Sequence, residues 1–165
     1  MRKNELKKLT IEEKISLLTG VGTWKTADAN GKLKQMWLSD GPSGLRMHDE
    51  HNHFETIRAT ALPTCHVLSN TWDPALCAEY AATIADEAIL HGADVVLGPA
   101  VNIKRNPLCG RNFEYFSEDP YLAGTLAAAY VAGVQSQGVG ASLKHFCANN
   151  REWERLYQSS EVDER

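Results

Sequence analysis

The sequence predicts an α/β fold built on a parallel sheet, and two observations carry that prediction. Short apolar runs alternate with long alanine-rich stretches in the order strand, helix, strand, helix, strand, the pattern of strands joined by crossover helices. Both long helices also share one opening signal, Asp73-Pro74 and Asp119-Pro120. In each, the aspartate caps the helix and proline takes the first helical position, where its missing N–H costs nothing.

The elements follow in order. Thr10-Ile11-Glu12-Glu13 is a capping box that starts a helix. Ile11, Ile15 and Leu18 form its apolar face, and Gly20 is a natural stop. Gly20-Val21-Gly22 is too short for a phosphate-binding fingerprint. Residues 35–38 read as a short buried strand that ends in Ser39-Asp40-Gly41-Pro42. The first long helix runs from Pro74 to about residue 90, with Gly92 as its stop, and a strand follows over 93–98. The second long helix runs from Pro120 to about residue 137, with Gly138 as its stop, and a strand follows over 139–146. Each strand leads into polar or glycine-containing sequence. In parallel α/β folds ligand sites lie at the carboxyl ends of the strands, so the polar clusters gather at one end of the sheet. A complete eight-stranded barrel takes about 250 residues, and these elements supply about half of one. The chain reads as one domain without linkers or repeats, stopping in polar sequence, S-S-E-V-D-E-R, with no natural terminus.

Composition narrows the function. The 165 residues are 43% hydrophobic, ordinary for a globular domain with a real core. A net charge of −4 argues against a nucleic-acid binder, which normally shows a basic face. No stretch has the apolar length of a membrane span, and the basic start, Met1-Arg2-Lys3 to Lys7-Lys8, leads into a helix signal rather than an apolar leader. The expectation is a soluble, unexported, cytoplasmic protein. Cys65, Cys77, Cys109 and Cys147 are scattered and form no C-x-x-C pair, so they read as free thiols in a reducing compartment. Cys147, although near His145, reads as a small buried thiol rather than a nucleophile.

The chemistry-bearing stretches are residues 109–120, C-G-R-N-F-E-Y-F-S-E-D-P, and 143–146, L-K-H-F. Arg111, Lys144 and His145 are directional donors suited to a polyhydroxylated ligand, with carboxylates nearby to hold them. Asp40, in L-S-D-G-P-S-G-L-R, has two readings: a turn residue, or a carboxylate that accepts charge-assisted bonds from sugar hydroxyls. Arg46 braces it or the ligand. Arg111 follows Gly110, which lets the chain turn sharply, and either meets ligand or pairs with Glu114, Glu118 or Asp119. Phe113, Tyr115 and Phe116 read as core rather than as a stacking platform. Lys144 resists a purely structural reading because lysine is seldom buried unless paired. His145 faces the opposite side in an ideal strand, so a bulge or twist is needed for both to meet one ligand. Arg155, in N-N-R-E-W-E-R, completes the donor set or pairs with Glu152 or Glu154. The run His48-Asp49-Glu50-His51-Asn52-His53 matches no metal-ligand spacing and reads as a solvated loop, so no metal is expected. No two carboxylates are assignable as nucleophile and acid/base.

Taken together and in order, L-T-I-E-E-K-I-S-L-L-T-G, S-D-G-P-S-G-L-R, A-L-P, G-R-N-F-E-Y-F-S-E-D-P, K-H-F-C-A-N-N and S-S-E-V-D-E-R resemble the amino-terminal domain of glycoside hydrolase family 3, in its β-glucosidase branch. The resemblance implies a (β/α)8 TIM-type barrel of which residues 1–165 are an amino-terminal part, with the rest of the barrel and an α/β sandwich domain beyond them. It implies a retaining mechanism, in which two carboxylates about 5–5.5 Å apart act as nucleophile and as acid then base. The family's nucleophile is an aspartate on a later strand, usually in Ser-Asp-Trp, and its acid/base in this branch comes from the second domain. The resemblance therefore places both beyond Arg165, with no catalytic residue in this chain, and Asp163 falls in a D-E-R element ahead of the nucleophile strand. What carries over is a substrate-binding set: Asp40, Arg111, Lys144 and His145, joined by Arg46 and Arg155. The F-C-A-N-N that follows Lys144-His145 differs from the Pro-Gly loop of the N-acetylglucosaminidase branch. The implied whole enzyme releases terminal non-reducing β-D-glucosyl residues from glucosides or short oligosaccharides and needs no cofactor. The alternatives are a β-xylosidase of the same family and a non-catalytic sugar-binding or interaction half-barrel. Linkage, aglycone and oligomeric state are not written in these residues.

Overall fold

A computed structural model describes residues 6–48 and 55–164. Arg165, beyond which the catalytic carboxylates are expected, lies outside the described residues. In chain order the elements are α1 (Ile11–Ser16), β1 (Gly20–Val21), β2 (Lys25–Thr26), β3 (Leu38–Asp40), α2 (Cys65–Ser69), α3 (Pro74–His91), β4 (Val95–Leu97), a 3-10 turn (Asn112–Glu114), α4 (Pro120–Ser136) and β5 (Gly140–Ala141). Strands β3, β4 and β5 form a parallel sheet in sequence order, with Asp40 opposite Leu97 and Ala141 opposite Val96. Strands β1 and β2 form a separate antiparallel hairpin. The parallel sheet does not close into a barrel among the described residues.

Both Asp-Pro signals work as expected. Asp73 accepts from the N–H groups of Ala75 and Leu76, and Asp119 from those of Tyr121 and Leu122. Gly92 ends α3 at φ 78°, a left-handed conformation glycine adopts freely. Helices α3 and α4 pack on each other and on β4 through Ile84, Leu126, Tyr130, Val134 and Val96, all fully buried. Gly133 explains how closely the helices approach: a Cβ there would lie 2.2 Å from the Ala78 carbonyl oxygen.

The first parallel strand is shifted from its predicted place. Residues 36 and 37 are engaged by the hairpin and by Asp94 instead. Thr26 N–H donates to the Met36 carbonyl at 3.0 Å, and Trp37 N–H donates to the Asp94 carboxylate at 2.9 Å. The last strand is shorter than predicted, because Gly98-Pro99 interrupts its neighbour and proline has no N–H for the ladder. Pairing resumes at Lys144, whose N–H donates to the Pro99 carbonyl and whose carbonyl accepts from Val101 N–H.

Three further expectations are corrected. The Thr10 capping box forms, yet the Ile11, Ile15 and Leu18 face is exposed. The side chain that α1 buries is Glu13, which is held by Lys32 at 2.7 Å and by Asn30. Cys147 is exposed, because it lies beyond Lys144, where the strand pairing ends, whereas Cys65, Cys77 and Cys109 are buried. Burial pushes the Cys65 thiol up to about 11 and the Cys77 thiol to about 12. Phe113 is 55% exposed, while Tyr115 and Phe116 are core as expected. Phe113 sits within the 3-10 turn, and the backbone becomes extended only at Tyr115. His48 stacks on Trp24, with ring centroids 4.9 Å apart, and the remainder of the histidine-rich run lies outside the described residues. No described helix is long and apolar enough to cross a membrane.

Candidate functional site

The site forms where the carboxyl ends of β3 and β5 meet the 3-10 turn. Asp40 is the last residue of β3. The next residue, Gly41, has φ 119°, and a Cβ there would fall 1.8 Å from the Gly44 carbonyl oxygen. Gly44 has φ 126° and would place a Cβ 2.4 Å from the Thr60 carbonyl oxygen. Only glycine fits either position. The loop therefore doubles back, Arg46 N–H donates to the Asp40 carbonyl at 2.7 Å, and the Arg46 guanidinium comes to 3.8 Å from the Asp40 carboxylate.

Lys144 reaches the same carboxylate from the far side of the sheet. Its Nζ lies 2.8 Å from Asp40 Oδ1 and 3.4 Å from Glu114 Oε2. Glu114 is buried in the 3-10 turn, and its other oxygen accepts from Arg111 Nε. Arg111 Nη1 is 4.0 Å from Glu152 Oε1, and Glu152 Oε2 accepts from Arg155 Nη1 at 3.3 Å. The result is a chain of alternating charges: Arg46, Asp40, Lys144, Glu114, Arg111, Glu152, Arg155. A cleft of about 510 Å³ is lined by Asp40, Arg46, Arg111, Phe113, Glu114 and Arg155. Lys144 and His145 line a second cavity of about 580 Å³. Lys144 joins the two through its ion pairs.

The electrostatics follow from these contacts. Burial would raise the Asp40 carboxyl, but the Lys144 hydrogen bond and charge, the Gly41 N–H and the Arg46 charge together hold it below the ordinary carboxylate value. Burial likewise works against the Arg111 cation, and the Glu114 carboxylate outweighs it, so Arg111 stays charged. His145 is pushed below its ordinary value, first by burial and then by the Arg111 and Lys144 charges. The Tyr115 hydroxyl is raised to about 12, chiefly by burial, and meets His145 Nδ1 at 3.0 Å.

All six residues singled out in the sequence are at this end of the sheet. Asp40, Arg46, Arg111 and Arg155 line one cleft, Lys144 is tied to it by ion pairs, and His145 is approached through Tyr115. Arg111 takes Glu114 as its partner rather than Glu118 or Asp119, and Arg155 takes Glu152 rather than Glu154. Sequence reasoning passed over Asn149 and Asn102 and read the exposed ring of Phe113 as core. Asn149 donates to both Tyr115 and Glu152, and Asn102 accepts from His145 N–H. The Asn149-Asn150 pair beside Lys144-His145 was the available signal, since an asparagine side chain both donates and accepts and so can bridge neighbouring groups. Asp40 and Glu114 are each paired with Lys144, Asp40 also with Arg46 and Glu114 also with Arg111. The arrangement sets hydrogen-bond donors and acceptors side by side, the chemistry a polyhydroxylated ligand calls for.

Fold and site define a parallel α/β unit of TIM-barrel type with a charged cleft at the carboxyl ends of its strands. The chain belongs to glycosyl hydrolase family 3: residues 14–156 match the family's N terminal domain. It is 45% identical to the thermostable beta-glucosidase B of Acetivibrio thermocellus, an alignment covering 99% of this chain and 22% of that protein. It is 46% identical to an exo-alpha-(1->6)-L-arabinopyranosidase of Bifidobacterium longum, covering 97% of this chain and 22% of the relative. Beta-glucosidase 3B from Thermotoga neapolitana, solved in complex with glucose, superposes with a TM-score of 0.82 at 44% identity, over 90% of this chain and 23% of that one. The chain thus spans about a fifth of the length of the relatives it matches.

Proposed function

We propose that these residues are the amino-terminal part of the barrel domain of a retaining β-glucosidase and that they bind its glycone. The observation that carries this reading is Lys144, an ammonium held between the Asp40 and Glu114 carboxylates at 2.8 and 3.4 Å. Asp40 keeps lone pairs to accept from sugar hydroxyls, and Lys144 and Arg111 keep protons to donate. Such bonds accelerate the reaction to the extent that they strengthen as the ring distorts toward an oxocarbenium-like transition state. Both catalytic carboxylates come from polypeptide beyond Arg165, as does the second domain, and no cofactor enters. The four free thiols support a reducing, cytoplasmic location.

The test uses the full-length enzyme and the 165-residue chain side by side. The full-length enzyme hydrolyses p-nitrophenyl β-D-glucoside and the short chain does not. Lys144→Met in the full-length enzyme lowers kcat/KM by about 100-fold, the loss expected when charge-assisted bonds are removed. Turnover that copurifies with the short chain would sink the reading. A second reading, pentopyranoside hydrolysis, is favoured by the 46% identity to an arabinopyranosidase. Relative kcat/KM on β-D-glucoside, β-D-xyloside and α-L-arabinopyranoside decides between them.

A further inference from the structure

The residues that approach His145 form a directional relay. Glu152 is a carboxylate braced by Arg155 at 3.3 Å and by Arg111 at 4.0 Å, and it can only accept hydrogen bonds. The Asn149 amide nitrogen lies 3.0 Å from Glu152 Oε1, so the charge of Glu152 fixes which end of that amide faces it. The second proton of the same nitrogen goes to the Tyr115 hydroxyl at 2.8 Å. Having accepted that bond, Tyr115 directs its own proton at His145 Nδ1, 3.0 Å away. Tyr115 is fully buried, and its ring meets the imidazole edge-on at 5.9 Å, which leaves the hydroxyl little freedom to turn elsewhere. The backbone of His145 is anchored independently, its N–H donating to Asn102 Oδ1 at 3.0 Å.

We propose that the Tyr115 hydroxyl is a positioning group that holds His145 in its neutral, Nε2-protonated tautomer, so that the imidazole serves the sugar as a donor and never as an acceptor. Which ring nitrogen carries the proton is set by the hydrogen bond the other one makes. The inference rests on the glycone-binding reading of the site and adds the direction of one of its hydrogen bonds. The surroundings agree. Burial and the cations of Arg111 and Lys144 disfavour imidazolium, against a smaller opposing pull from the Glu114 and Asp40 carboxylates. Tyr115 thereby reaches the ligand only through His145, and Asn149 and Glu152 act one and two bonds further back.

The experiment uses the full-length enzyme with its histidine ring nitrogens isotope-labelled and follows their NMR shifts across pH, the His145 signals being assigned by their loss in His145→Gln. The Tyr115 O–H stabilises the neutral ring, so wild-type His145 shows Nε2 protonated and Nδ1 bare. Tyr115→Phe moves its titration to higher pH by roughly half to one unit, the size one net hydrogen bond supports. Asn149→Leu frees the hydroxyl to rotate and moves the titration in the same direction by less, which keeps the inference testable if Tyr115→Phe does not fold. A donating ring also distinguishes glucose analogues: at the hydroxyl read by His145, fluorine retains more affinity than hydrogen, because fluorine still accepts. An unshifted His145 titration in both variants, a neutral ring protonated at Nδ1, or equal losses for the fluoro and deoxy analogues overturns the inference while leaving glycone binding intact. A wild-type enzyme that neither binds glucose nor cleaves glucosides overturns both.

Discussion

Asp40 and Lys144 meet at 2.8 Å, but the segments that carry them are held by different means. Residues 40–46 are shaped by backbone. Gly41 and Gly44 take left-handed conformations, each pressed against a carbonyl oxygen, and a main-chain bond from Arg46 closes the loop. Residues 144–150 are shaped mostly by side chains. After Lys144 leaves the sheet, Asn102 holds the His145 N–H, Asn149 bridges Tyr115 and Glu152, and Asn150 donates to the Ile103 carbonyl. The first segment has no slack, whereas the second can lose one bond and still follow its path. Damage to the first is therefore expected in stability, and damage to the second in ligand alignment.

The largest effect that would break this contrast is at Gly41. Gly41→Ala is expected to destabilise the full-length protein by about 3 kcal/mol or more, through strain and a clash that backbone cannot relieve. Gly22, also at positive φ but in open space, is the control. Gly22→Ala costs about 1 kcal/mol by chemical denaturation. Equal costs at the two glycines would remove the backbone half of the comparison. Next comes Glu114→Gln, which takes away the charge shared by Arg111 and Lys144. It is expected to lower glucoside kcat/KM by roughly 10- to 100-fold, more than its effect on folding accounts for.

Asn150→Ala is a milder probe of the side-chain-built segment, with an expected cost of about 1 kcal/mol for one net hydrogen bond. A pH test is subtler. His145 lies below its ordinary value of 6.5, so the folded state binds fewer protons than the unfolded state in that range. Stability therefore falls as pH drops below 6.5 and stops falling once the folded-state pKa is passed. His145→Gln flattens that part of the stability profile, and an unchanged profile would show that another group is responsible. The smallest effect is at Phe113, which is exposed on the cleft wall. Phe113→Ala should change stability by less than about 0.5 kcal/mol, so any loss of substrate affinity reports on the cleft itself.

Much of the fold was legible because its signals are local. The Thr10, Asp73 and Asp119 caps satisfy N–H groups no more than three residues away, so they read directly from neighbouring letters. The helix stops near Gly92 and Gly138 read the same way, since both residues take positive φ. Lys144 and Arg111 were legible as residues in need of partners, because a lysine at the end of an apolar strand and an arginine beside several acids call for counter-charges wherever those lie. The sequence by itself thus determined the capped helices α1, α3 and α4, the parallel sheet and the need of Lys144 and Arg111 for partners, but not α2 or the β1–β2 hairpin. The partners were decided by tertiary structure. Asp40 and Lys144 are 104 residues apart and meet only because two crossovers bring β3 and β5 to opposite sides of β4. The same holds for Tyr115 and His145, for the exposure of Phe113 and of the α1 apolar face, and for the early end of β5. Each depends on what lies alongside in space, and periodicity along a chain carries no record of a neighbour contributed by a distant segment.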